Sequence, residues 1–445
     1  MIRLFRVFVP VGALALLFSE LLLATSCFLV VTFLILNVDP AVFLFADNGL
    51  LRIGVVVASI LFGLFFEDLY THISVKSRVV LLQQLCLVMG IAFLIQGFIS
   101  YVKDGLRLPV RVMVPGSALT IVALLAWRIL YSAFVLRVVG AQRILFVGSS
   151  PVLQEMAGYI EAHPEVGMCN VGYVDDSPES AGSAEAHGPL SALPQIAATV
   201  KPDRIVVGFV ERRGQMPIAD LLQLRYGGLA IEEASTAYEQ LRGRVLLSEL
   251  RPSDLVLSDA FRQRSQRLLY QTLGNGLLAL ILTVLSAPLL LLAAALLKLS
   301  ARGPLLSRKE CTGLGGKPFH LYGLRLAGGE GTGIGRIERF VKRWRLYALP
   351  HFWNVLRGEM CFVGPRAERR EFVEALTERI PFYRQRYRVK PGLTGWAQIN
   401  MPADQPEDTL RRLEYDFYYL KNLSRGLDSY ILLHTLRELL ISRAA

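Results

Sequence analysis

Basic residues in the last part of the chain lie in or near turns rich in glycine and proline. Arg366 ends the run Val363-Gly-Pro-Arg366, and the run Lys390-Pro-Gly-Leu-Thr-Gly-Trp396 contains both a lysine and a threonine. Rigid turns of this kind present backbone N–H groups, and a neighbouring cationic side chain adds positive charge, so together they offer the donors that a diphosphate needs. The residues that we expect to bind substrate phosphate are Arg325, Arg366, Lys390 and Thr394.

The composition of the chain indicates a membrane protein that contacts anions. Its 445 residues are 53% hydrophobic and only 19% charged, whereas a soluble domain has about 25% charged residues. This composition excludes a disordered protein and a purely soluble enzyme. The 48 lysines and arginines exceed the 37 aspartates and glutamates, which gives a net charge of +11. That excess fits anionic lipid, phosphate-bearing substrates or nucleic acid, and the charge alone does not choose among them.

The cysteines do not encode a disulfide framework or a structural metal site. No CxxC motif occurs, and no histidine lies at zinc-binding spacing from a cysteine. Cys27 and Cys86 lie in apolar runs, which favours a role in packing. The five cysteines are Cys27, Cys86, Cys169, Cys311 and Cys361.

Four apolar runs in the first 140 residues predict a transmembrane domain. Each run approaches or exceeds the roughly 20 residues that a helix needs to cross a bilayer. The first run is too long for a cleavable signal peptide, and no cleavage site follows it. The four predicted spans are residues 7–36, 51–66, 79–101 and 112–136.

Lysine and arginine in the connecting segments predict the orientation of these spans. Arg3 and Arg6 precede the first span and Arg137 and Arg143 follow the fourth, so both ends should be cytoplasmic, although the basic loop between the third and fourth spans is an exception. Glu20, inside the first span, is costly in lipid and is therefore a functional candidate, or else it is hydrogen-bonded to neighbouring helices.

Residues 141–260 have the pattern of a Rossmann-like α/β domain. Strands are predicted at 143–148, 171–174 and 204–208, with an amphipathic helix at 152–162. Of the nucleotide-binding pattern GxGxxG, only the first glycine, Gly148, is present, so cofactor binding there is a weak prediction beside a sensing or scaffolding role. A membrane-bound nucleotide-sugar dehydratase can share this layout. Such an enzyme uses as its base a tyrosine that is followed four residues later by a lysine. No lysine in this chain has a tyrosine four residues before it.

Residues 261–445 begin with basic residues and a fifth apolar run at 277–299. Pro288 lies near the middle of this run, two residues after Ser286, and proline bends a helix. We predict a re-entrant helix broken at Ser286 and Pro288, which would keep the following domain in the cytoplasm. A kinked helix that spans the membrane is the alternative. Helices near the C-terminus place apolar and basic residues on different faces, as helices at a membrane surface do.

This last segment resembles the bacterial sugar transferases, also called polyprenyl-phosphate phosphoglycosyl transferases. Residues 349–360 are similar to the family's LPQxxNVLxGxMS block, and residues 362–368 are similar to its FVGPRPE block. Residues 391–398 and 416–422 match two downstream blocks. The layout is similar to the long form of the family, and residues 231–261 resemble the subgroup associated with PEP-CTERM exopolysaccharide systems.

The resemblance implies transfer of a sugar 1-phosphate from a nucleotide sugar to undecaprenyl phosphate, with Mg²⁺, at the cytoplasmic face of the bacterial inner membrane. It implies a mixed α and α/β membrane protein with three domains, at residues 1–140, 141–260 and 261–445. The partners that it implies are the two substrates, the membrane, other exopolysaccharide-assembly proteins and a second copy of the chain, but not nucleic acid. In the family, an Asp-Glu pair directly before LPQ is catalytic, and its Asp attacks the phosphate.

The chain departs from the family at this catalytic pair, because Tyr347 and Ala348 stand before Leu349-Pro350. Tyrosine, with an ordinary pKa near 10, is a poor nucleophile. Other departures are Tyr270 for an Asp, Cys311 for an Arg and Gly323 for a Lys. The replacement nucleophiles considered are Glu359, Glu368 and Cys311. Glu338 is nine residues before Tyr347, which is about 13.5 Å along one helix and too far to replace the Asp. His351, which replaces a Gln, is expected to be an ordinary hydrogen-bonding residue.

Three functions remain open from the sequence. The first is an active sugar-1-phosphate transferase with an unrecognised nucleophile, or with direct attack by the lipid phosphate. The second is a degenerate member that regulates or scaffolds exopolysaccharide assembly while binding a substrate. The third is a dimerisation platform without a ligand.

Overall fold

The structure, a computed structural model, contains two compact units, of which the first consists mainly of Phe8–Leu241 and the second mainly of Arg242–Ala445. The predicted division into three domains remains a prediction, because residues 133–140 and 251–264, around its boundaries, lie outside the described part of the chain. The residues that the structure describes are 2–4, 7–9, 11–36, 39–67, 69–70, 78–132, 141–148, 150–163, 166–176, 186–209, 216–248, 250, 265–300, 305–325, 336–344, 346–401 and 408–441.

Four long apolar helices in the first unit correspond to the four predicted spans. They are Val11–Ile35 (α1), Gly49–Phe66 (α2), Arg78–Val102 (α3) and Val110–Leu130 (α4). All four are long and apolar enough to cross a membrane, which confirms the predicted transmembrane domain. The first helix begins later than predicted, because Ile2–Leu4 (β1) and Val7–Val9 (β2) form a small sheet. Pro10 disfavours a helical conformation at the residue before it, which accounts for the later start.

Glu20 lies on α1 and pairs with Arg128 of α4. The Arg128 Nε atom is 2.6 Å from Glu20 Oε1, and Arg128 Nη2 donates to Glu20 Oε2 at 3.1 Å. Arg128 Nη1 also donates to the Leu69 carbonyl oxygen at 2.9 Å. Both charged side chains are buried. Glu20 is therefore bonded to a neighbouring helix, as one of the two interpretations of the sequence expects.

The middle of the chain forms the predicted parallel α/β fold. Its five strands are all parallel and lie in the order β5-β4-β3-β6-β7. The strands are Gln142–Val147 (β3), Met168–Val174 (β4), Ala186–Gly188 (β5), Arg204–Val207 (β6) and Ala230–Glu233 (β7). The helices are Pro151–Ala162 (α5), Leu193–Val200 (α6), Ile218–Tyr226 (α7) and Ala234–Arg242 (α8). Short apolar strands buried on both faces are typical of such a sheet.

Gly148 has a structural reason to be glycine. Its φ is +106°, and a Cβ there would lie 2.1 Å from the Gly208 carbonyl oxygen. The next described residue, Ser150, donates its backbone N–H to the same carbonyl at 3.2 Å and caps α5 through its side chain. Contact between two parallel strands therefore explains this glycine without a nucleotide, and cofactor binding at Gly148 remains a prediction.

The second unit combines helices with two small sheets. Its helices are Ser265–Ser300 (α9), Arg336–Arg343 (α10), His351–Leu356 (α11), Arg370–Arg379 (α12), Trp396–Asn400 (α13), Thr409–Asn422 (α14) and Arg425–Ile441 (α15). Its strands are Leu306–Thr312 (β8), Pro318–Leu324 (β9), Cys361–Val363 (β10) and Gly392–Thr394 (β11). The short helices among the described residues are Val42–Ala46 (π) and Asp104–Leu106, Leu190–Ala192, Leu314–Gly316, Leu346–Ala348 and Tyr383–Arg388 (3₁₀).

Aromatic residues form the centre of the core of the second unit. Trp396 stacks on Tyr418 with ring centroids 5.3 Å apart, and its Nε1 donates to the Gly243 carbonyl oxygen at 2.6 Å. Val245 enters the same core, and Arg244 lies 3.4 Å from Glu414. The segment that follows α8 is thus an integral part of this unit.

Helix α9 continues through Pro288 as one helix of 36 residues. Pro288 lacks the N–H that would bond to the Val284 carbonyl, yet the helix does not end there. Ser286 donates its hydroxyl to the Thr283 carbonyl oxygen at 3.4 Å. Residues 274–298 are long and apolar enough to cross a membrane, so re-entry at Ser286 and Pro288 remains a prediction.

Candidate active site

The β8–β9 hairpin forms one wall of the candidate site. The strands are antiparallel, and Ser307 lies opposite Gly323. Ser307 Oγ donates to the Gly323 carbonyl oxygen at 3.2 Å. Arg325 directly follows β9, where its side chain is exposed and its backbone N–H donates to the Leu305 carbonyl oxygen at 2.7 Å.

Asn354 fixes helix α11 to this hairpin. Its side chain is fully buried, and Nδ2 donates both to the His320 carbonyl oxygen at 2.6 Å and to Glu359 Oε2 at 2.7 Å. Its Oδ1 accepts the Tyr322 N–H at 3.2 Å. These bonds satisfy backbone groups of β9, and they determine where His351, at the start of α11, lies relative to the strand.

Tyr347 occupies the position that the family resemblance assigns to the nucleophile, and it acts here as a packing residue. It lies with Ala348 in the 3₁₀ turn Leu346–Ala348. Its side chain packs against an apolar cluster that includes Leu297 of α9 and Leu324 of β9. Neither Tyr347 nor Ala348 supplies a carboxylate.

The expected single helix from Glu338 to Tyr347 is wrong. Helix α10 ends at Arg343, and a separate 3₁₀ turn begins at Leu346. The estimate of 13.5 Å, which assumed one continuous helix, therefore does not apply. Glu338 is 4% exposed and takes part in other interactions.

The candidate nucleophiles Glu359 and Glu368 both have partners. Glu359 accepts the Asn354 hydrogen bond and lies 3.9 Å from Arg357. Glu368 lies 2.9 Å from Arg386 and 3.3 Å from Arg412. Both carboxylates are held by the protein, so their geometry favours a structural role.

Arg386 is the centre of a buried polar network that includes Glu368. Its Nη2 lies 2.8 Å from Asp416 Oδ2, and its Nη1 donates to the Tyr383 hydroxyl at 2.5 Å. Tyr383 in turn donates to Glu368. Burial raises the pKa of Glu368, but Arg386 and the Tyr383 hydrogen bond outweigh burial and hold this pKa below its usual value. Burial raises the pKa of Asp416 to about 6 despite Arg386.

Cys311 has the environment of an unreactive thiol. It is 2% exposed and belongs to the main core of the second unit. Burial raises the pKa of Cys311, although Lys309 and Arg369 lower it in part. A thiol attacks as the thiolate, so this environment disfavours Cys311 as a nucleophile. All five cysteines are free thiols.

Two glycine-containing loops, at residues 364–366 and 390–395, pack directly against each other. Strands β10 and β11 pair in parallel, and Arg366 forms a bridge with Gly392. A Cβ on Gly364 would lie 2.4 Å from the Lys390 carbonyl oxygen, and one on Gly395 would lie 2.2 Å from the Gly364 carbonyl oxygen. Only glycine permits this approach, which explains the two motifs physically.

The structure brings three of the four predicted phosphate-binding residues to this pair of loops. Arg366 is exposed, and its carbonyl oxygen accepts from Arg386 Nη2 at 3.3 Å. Lys390 is partly buried. The Thr394 hydroxyl is buried and lies 2.6 Å from the Thr435 hydroxyl of α15. The fourth residue, Arg325, lies on the hairpin side.

The carboxylates at the site do not fit a Mg²⁺ ion held by the protein. Mg²⁺ prefers carboxylate and phosphate oxygens at short distances, but Glu359 and Glu368 are already bonded to Asn354 and to arginines. In the part of the chain that the structure describes, no group of three acidic, His or Cys side chains could hold a metal. The residues at the positions of the family's catalytic Asp-Glu pair are a tyrosine and an alanine, which supply no carboxylate, so we derive no step through a metal.

His351 faces the hairpin at the position where the chain lacks a family lysine. A Cβ on Gly323 would lie 3.3 Å from the Tyr347 carbonyl oxygen and 3.6 Å from His351 Nε2. Burial, and to a smaller extent the charge of Lys309, lower the pKa of His351 to about 4. The ring is therefore neutral at neutral pH. Sequence reasoning missed this arrangement, although the replacement of a Gln by His next to the altered pair was a signal.

Comparison with known proteins places these residues within one family. The sequence pattern of the bacterial sugar transferases matches residues 266–442. The chain is 36% identical over 181 residues to a UDP-N-acetylgalactosamine-undecaprenyl-phosphate N-acetylgalactosaminephosphotransferase of Aeromonas hydrophila, covering 38% of this chain and 43% of that protein. It is 29% identical over 333 residues to an undecaprenyl-phosphate glucose phosphotransferase of Komagataeibacter xylinus, covering 68% of this chain and 60% of that protein.

A shorter relative is matched over most of its length. This protein is the uncharacterized sugar transferase EpsL of Bacillus subtilis, to which the chain is 32% identical over 174 residues, covering 37% of this chain and 84% of that protein. The chain therefore spans 43% to 60% of the first two relatives and most of the third. The hairpin, α11 and both glycine-containing loops lie inside the matched region, and the chain belongs to the bacterial sugar transferase family.

Proposed function

We propose that this protein transfers a sugar 1-phosphate from a nucleotide sugar to undecaprenyl phosphate, which initiates exopolysaccharide assembly. The observation that carries the proposal is the family match over residues 266–442, which includes every element of the candidate site. Two relatives are named as phosphotransferases that act on undecaprenyl phosphate. This reaction breaks one phosphoanhydride bond and forms another, and it needs positive charge beside a diphosphate.

The two glycine-containing loops support the binding of that diphosphate. The exposed Arg366 side chain lies beside backbone that is fixed by close glycine contacts and by Arg386. Guanidinium and ammonium groups beside rigid backbone stabilise phosphate oxygens. In this proposal Arg325, Arg366 and Lys390 contact the phosphates, and Thr394 holds its loop to α15 through Thr435.

The five apolar helices support a location in the membrane. We assign the protein to the bacterial inner membrane with both soluble parts in the cytoplasm, where nucleotide sugars are available. Basic residues before α1 and in the segment after α4 support this orientation. The partners in this proposal are the two substrates, other exopolysaccharide-assembly proteins and a second copy of the chain.

A direct assay tests the reaction. The full chain in nanodiscs is mixed with undecaprenyl phosphate and with UDP-glucose or UDP-N-acetylgalactosamine labelled in the β-phosphate. The expected result is label in a lipid-linked product and the release of unlabelled UMP. A protein that binds the nucleotide sugar but forms no product contradicts the proposal.

A degenerate regulator or scaffold is the second candidate. The observation that favours it is Tyr347, whose side chain packs among apolar residues at the position of the family nucleophile. The same assay separates the two candidates, because the scaffold binds a substrate without turnover. In that case, the double substitution Tyr347→Asp with Ala348→Glu tests whether the rest of the site still supports transfer.

A further inference from the structure

The two glycine-containing loops are bonded to each other as one pair. The Gly364 N–H donates to the Thr394 carbonyl oxygen at 2.9 Å, and the Gly392 N–H donates to the Pro365 carbonyl oxygen at 2.9 Å. Together with the close glycine contacts, these bonds fix each loop relative to the other. They do not fix the pair relative to the helices of the second unit, so contacts with those helices must do so.

The first loop is held through Tyr419 of α14. The Tyr419 side chain is 1% exposed, and its hydroxyl lies 3.1 Å from the Val363 carbonyl oxygen and 2.8 Å from Asp428 Oδ1. Because a hydroxyl carries one proton, the two acceptors share it. Asp428 lies in the first turn of α15, and Val363 directly precedes the loop at 364–366. Tyr419 therefore joins the start of this loop to α15.

The second loop is held by the same face of α15. The Thr435 hydroxyl donates to the Ile431 carbonyl oxygen at 2.8 Å, so Thr394 is the donor in the 2.6 Å bond between the two threonine hydroxyls. Asp428, Ile431 and Thr435 follow the spacing i, i+3, i+7, which places them on one face of the helix. Ile431 is fully buried. One helix face therefore carries contacts to both loops.

Lys390 brings the pair of loops close to α11. Lys390 Nζ lies 3.6 Å from the ideal Cβ position of Gly358, two residues after the end of that helix. Asn354 of α11 is in turn bonded to the backbone of β9. The position of the pair of loops therefore determines where Lys390 and Arg366 lie relative to the other wall of the candidate site.

Cys361 supports the Val363 carbonyl but cannot replace Tyr419 as an anchor. Its Sγ atom lies 2.9 Å from the Val363 carbonyl oxygen and 3.5 Å from the Lys390 and Pro391 carbonyl oxygens. Because Cys361 belongs to β10, these contacts remain within the pair of loops. Loss of the Tyr419 hydroxyl would therefore remove the link to α15 without leaving a buried carbonyl unpaired.

We propose that Tyr419 is a positioning residue of this transferase, which, held by Asp428, places the Arg366 guanidinium for the diphosphate of the nucleotide sugar. This inference rests on the proposed function and names a residue that acts through Arg366 rather than on the substrate. Arg386 holds the other end of the loop, because it donates to the Arg366 carbonyl oxygen at 3.3 Å. Loss of the Tyr419 hydroxyl should therefore shift the loop rather than unfold it. A displacement of about 1 Å can cost up to about 10²-fold in rate.

Binding of UDP tests the proposal without turnover. Isothermal titration calorimetry measures the Kd of UDP for the full chain in nanodiscs, as wild type and as Tyr419→Phe, which keeps the buried ring. The Kd should rise by about 10-fold, because the guanidinium is displaced from the diphosphate. Tyr415→Phe is the matched control, since Tyr415 is buried in the same core one turn earlier on α14. It should keep the wild-type Kd.

A double-mutant cycle separates positioning from a purely structural role. Arg366→Gln removes the guanidinium and should itself weaken UDP binding. If Tyr419 acts through Arg366, adding Tyr419→Phe to Arg366→Gln should raise the Kd further by only about 2-fold or less. Two independent effects would multiply and would overturn the proposal. A purely structural role would lower the thermal midpoint and leave the Kd of the folded protein unchanged.

The transfer assay gives a second measurement of the same effect. The KM for UDP-glucose or UDP-N-acetylgalactosamine should rise in Tyr419→Phe together with the Kd of UDP, and Tyr415→Phe should keep the wild-type KM. If Tyr419→Phe does not fold, Asp428→Asn takes its place in the cycle. This variant keeps the hydroxyl and weakens only its charged acceptor, so the Kd should rise by about 3-fold.

The outcomes distinguish this proposal from the function on which it rests. Wild-type product formation with an unchanged Kd and KM in Tyr419→Phe overturns the role of Tyr419 and leaves the transferase function in place. A wild-type protein that binds UDP and shows the coupling to Arg366, but forms no product, overturns the transfer reaction and supports the positioning role. Wild-type protein that neither binds UDP nor forms product overturns both.

Discussion

At the scale of single residues, Lys309 influences the protonation of His351. Burial is the main cause of the low pKa of about 4, and the positive charge of Lys309 adds to it. Lys309→Gln removes that charge, so the pKa of His351 should rise but stay below its ordinary value of 6.5, because the burial remains. Titration of the ¹⁵N-labelled imidazole by NMR measures this change, with the His351 signal assigned through His351→Gln.

The control for this prediction is Lys317→Gln, on the same hairpin but outside both strands. It should leave the His351 titration unchanged. A His351 pKa that does not move in Lys309→Gln would show that the two groups are not electrostatically coupled.

Some residues of the site could be predicted from sequence, and others could not. The glycines of the two loops were predictable, because a Gly-Pro-Arg or Pro-Gly-x-Thr-Gly turn already specifies a close backbone approach. The role of Asn354 was not, because its partners His320 and Tyr322 lie on a strand more than 30 residues earlier. The position of His351 Nε2 beside Gly323 likewise could not be predicted, because only the tertiary fold brings the two residues together.

At the scale of elements, the buried ion pair between Glu20 and Arg128 joins α1 to α4. Glu20→Gln leaves an unpaired buried guanidinium, which typically costs about 3–5 kcal/mol of stability. The double substitution Glu20→Leu with Arg128→Met removes both charges and should recover most of that loss. Circular dichroism of the protein in detergent, followed through thermal unfolding, compares the two variants.

A weaker contact between the same helices is the control for that prediction. Trp127 Nε1 donates to Ser19 Oγ at 2.9 Å. Ser19→Ala should lower stability by about 1 kcal/mol, as expected for one neutral hydrogen bond. If Glu20→Gln is no more harmful than Ser19→Ala, the ion pair does not hold the helices together.

The Arg386 network has the corresponding role in the second unit, where it joins the 3₁₀ helix Tyr383–Arg388 to α14. Arg386→Met leaves Glu368 and Asp416 without their shared cation, and we expect a loss of about 3–5 kcal/mol at pH 8. The Asp416 pKa of about 6 in the wild type should rise further in the variant. Protonation then relieves the unpaired charge, so the loss should be smaller at pH 5.5 than at pH 8.

Arg412→Met is the matched control, because Arg412 also pairs with Glu368 but leaves Arg386 in place. Its thermal midpoint should fall less than that of Arg386→Met at pH 8. A loss in Arg386→Met that is the same at both pH values would contradict the role of Asp416. These ion pairs join residues that are distant in sequence (Glu20 and Arg128 are 108 apart), so periodicity and motifs could not predict them.

At the scale of the whole molecule, local patterns predicted most of the architecture. The length of the apolar runs predicted the five apolar helices, and short runs of apolar residues predicted the parallel sheet. Both signals lie in consecutive residues, so they can be recognised in the sequence alone. The prediction of one helix from Glu338 to Tyr347 missed the separation of α10 from the 3₁₀ turn Leu346–Ala348. Residues 336–357 contain no glycine, so the sequence has no helix-ending glycine at this point. Composition also does not predict whether α9 crosses the membrane or re-enters on the same side, because that depends on how the helix bends at Pro288.

The side on which the second unit lies is the last testable property. Apolar side chains of α9 point outward, with Val284, Leu285 and Leu291 exposed by 68%, 72% and 72%, so a membrane must cover them. The apolar segment of 25 residues from Gly274 to Lys298 is long enough to cross it. The proposed reaction nevertheless needs nucleotide sugar, which is cytoplasmic, and a bend at Pro288 would return the chain to that side.

Reporter fusions decide between crossing and re-entry. A reporter fused at Ala445 and another inserted within residues 177–185 of the middle segment should both give the signal of a cytoplasmic location. The control is a reporter in the connection between α1 and α2, which should give the signal of a location outside the cytoplasm. If the Ala445 reporter instead agrees with the α1–α2 reporter, α9 crosses the membrane completely. The second unit would then face away from nucleotide sugars, and the proposed reaction would have no access to its donor.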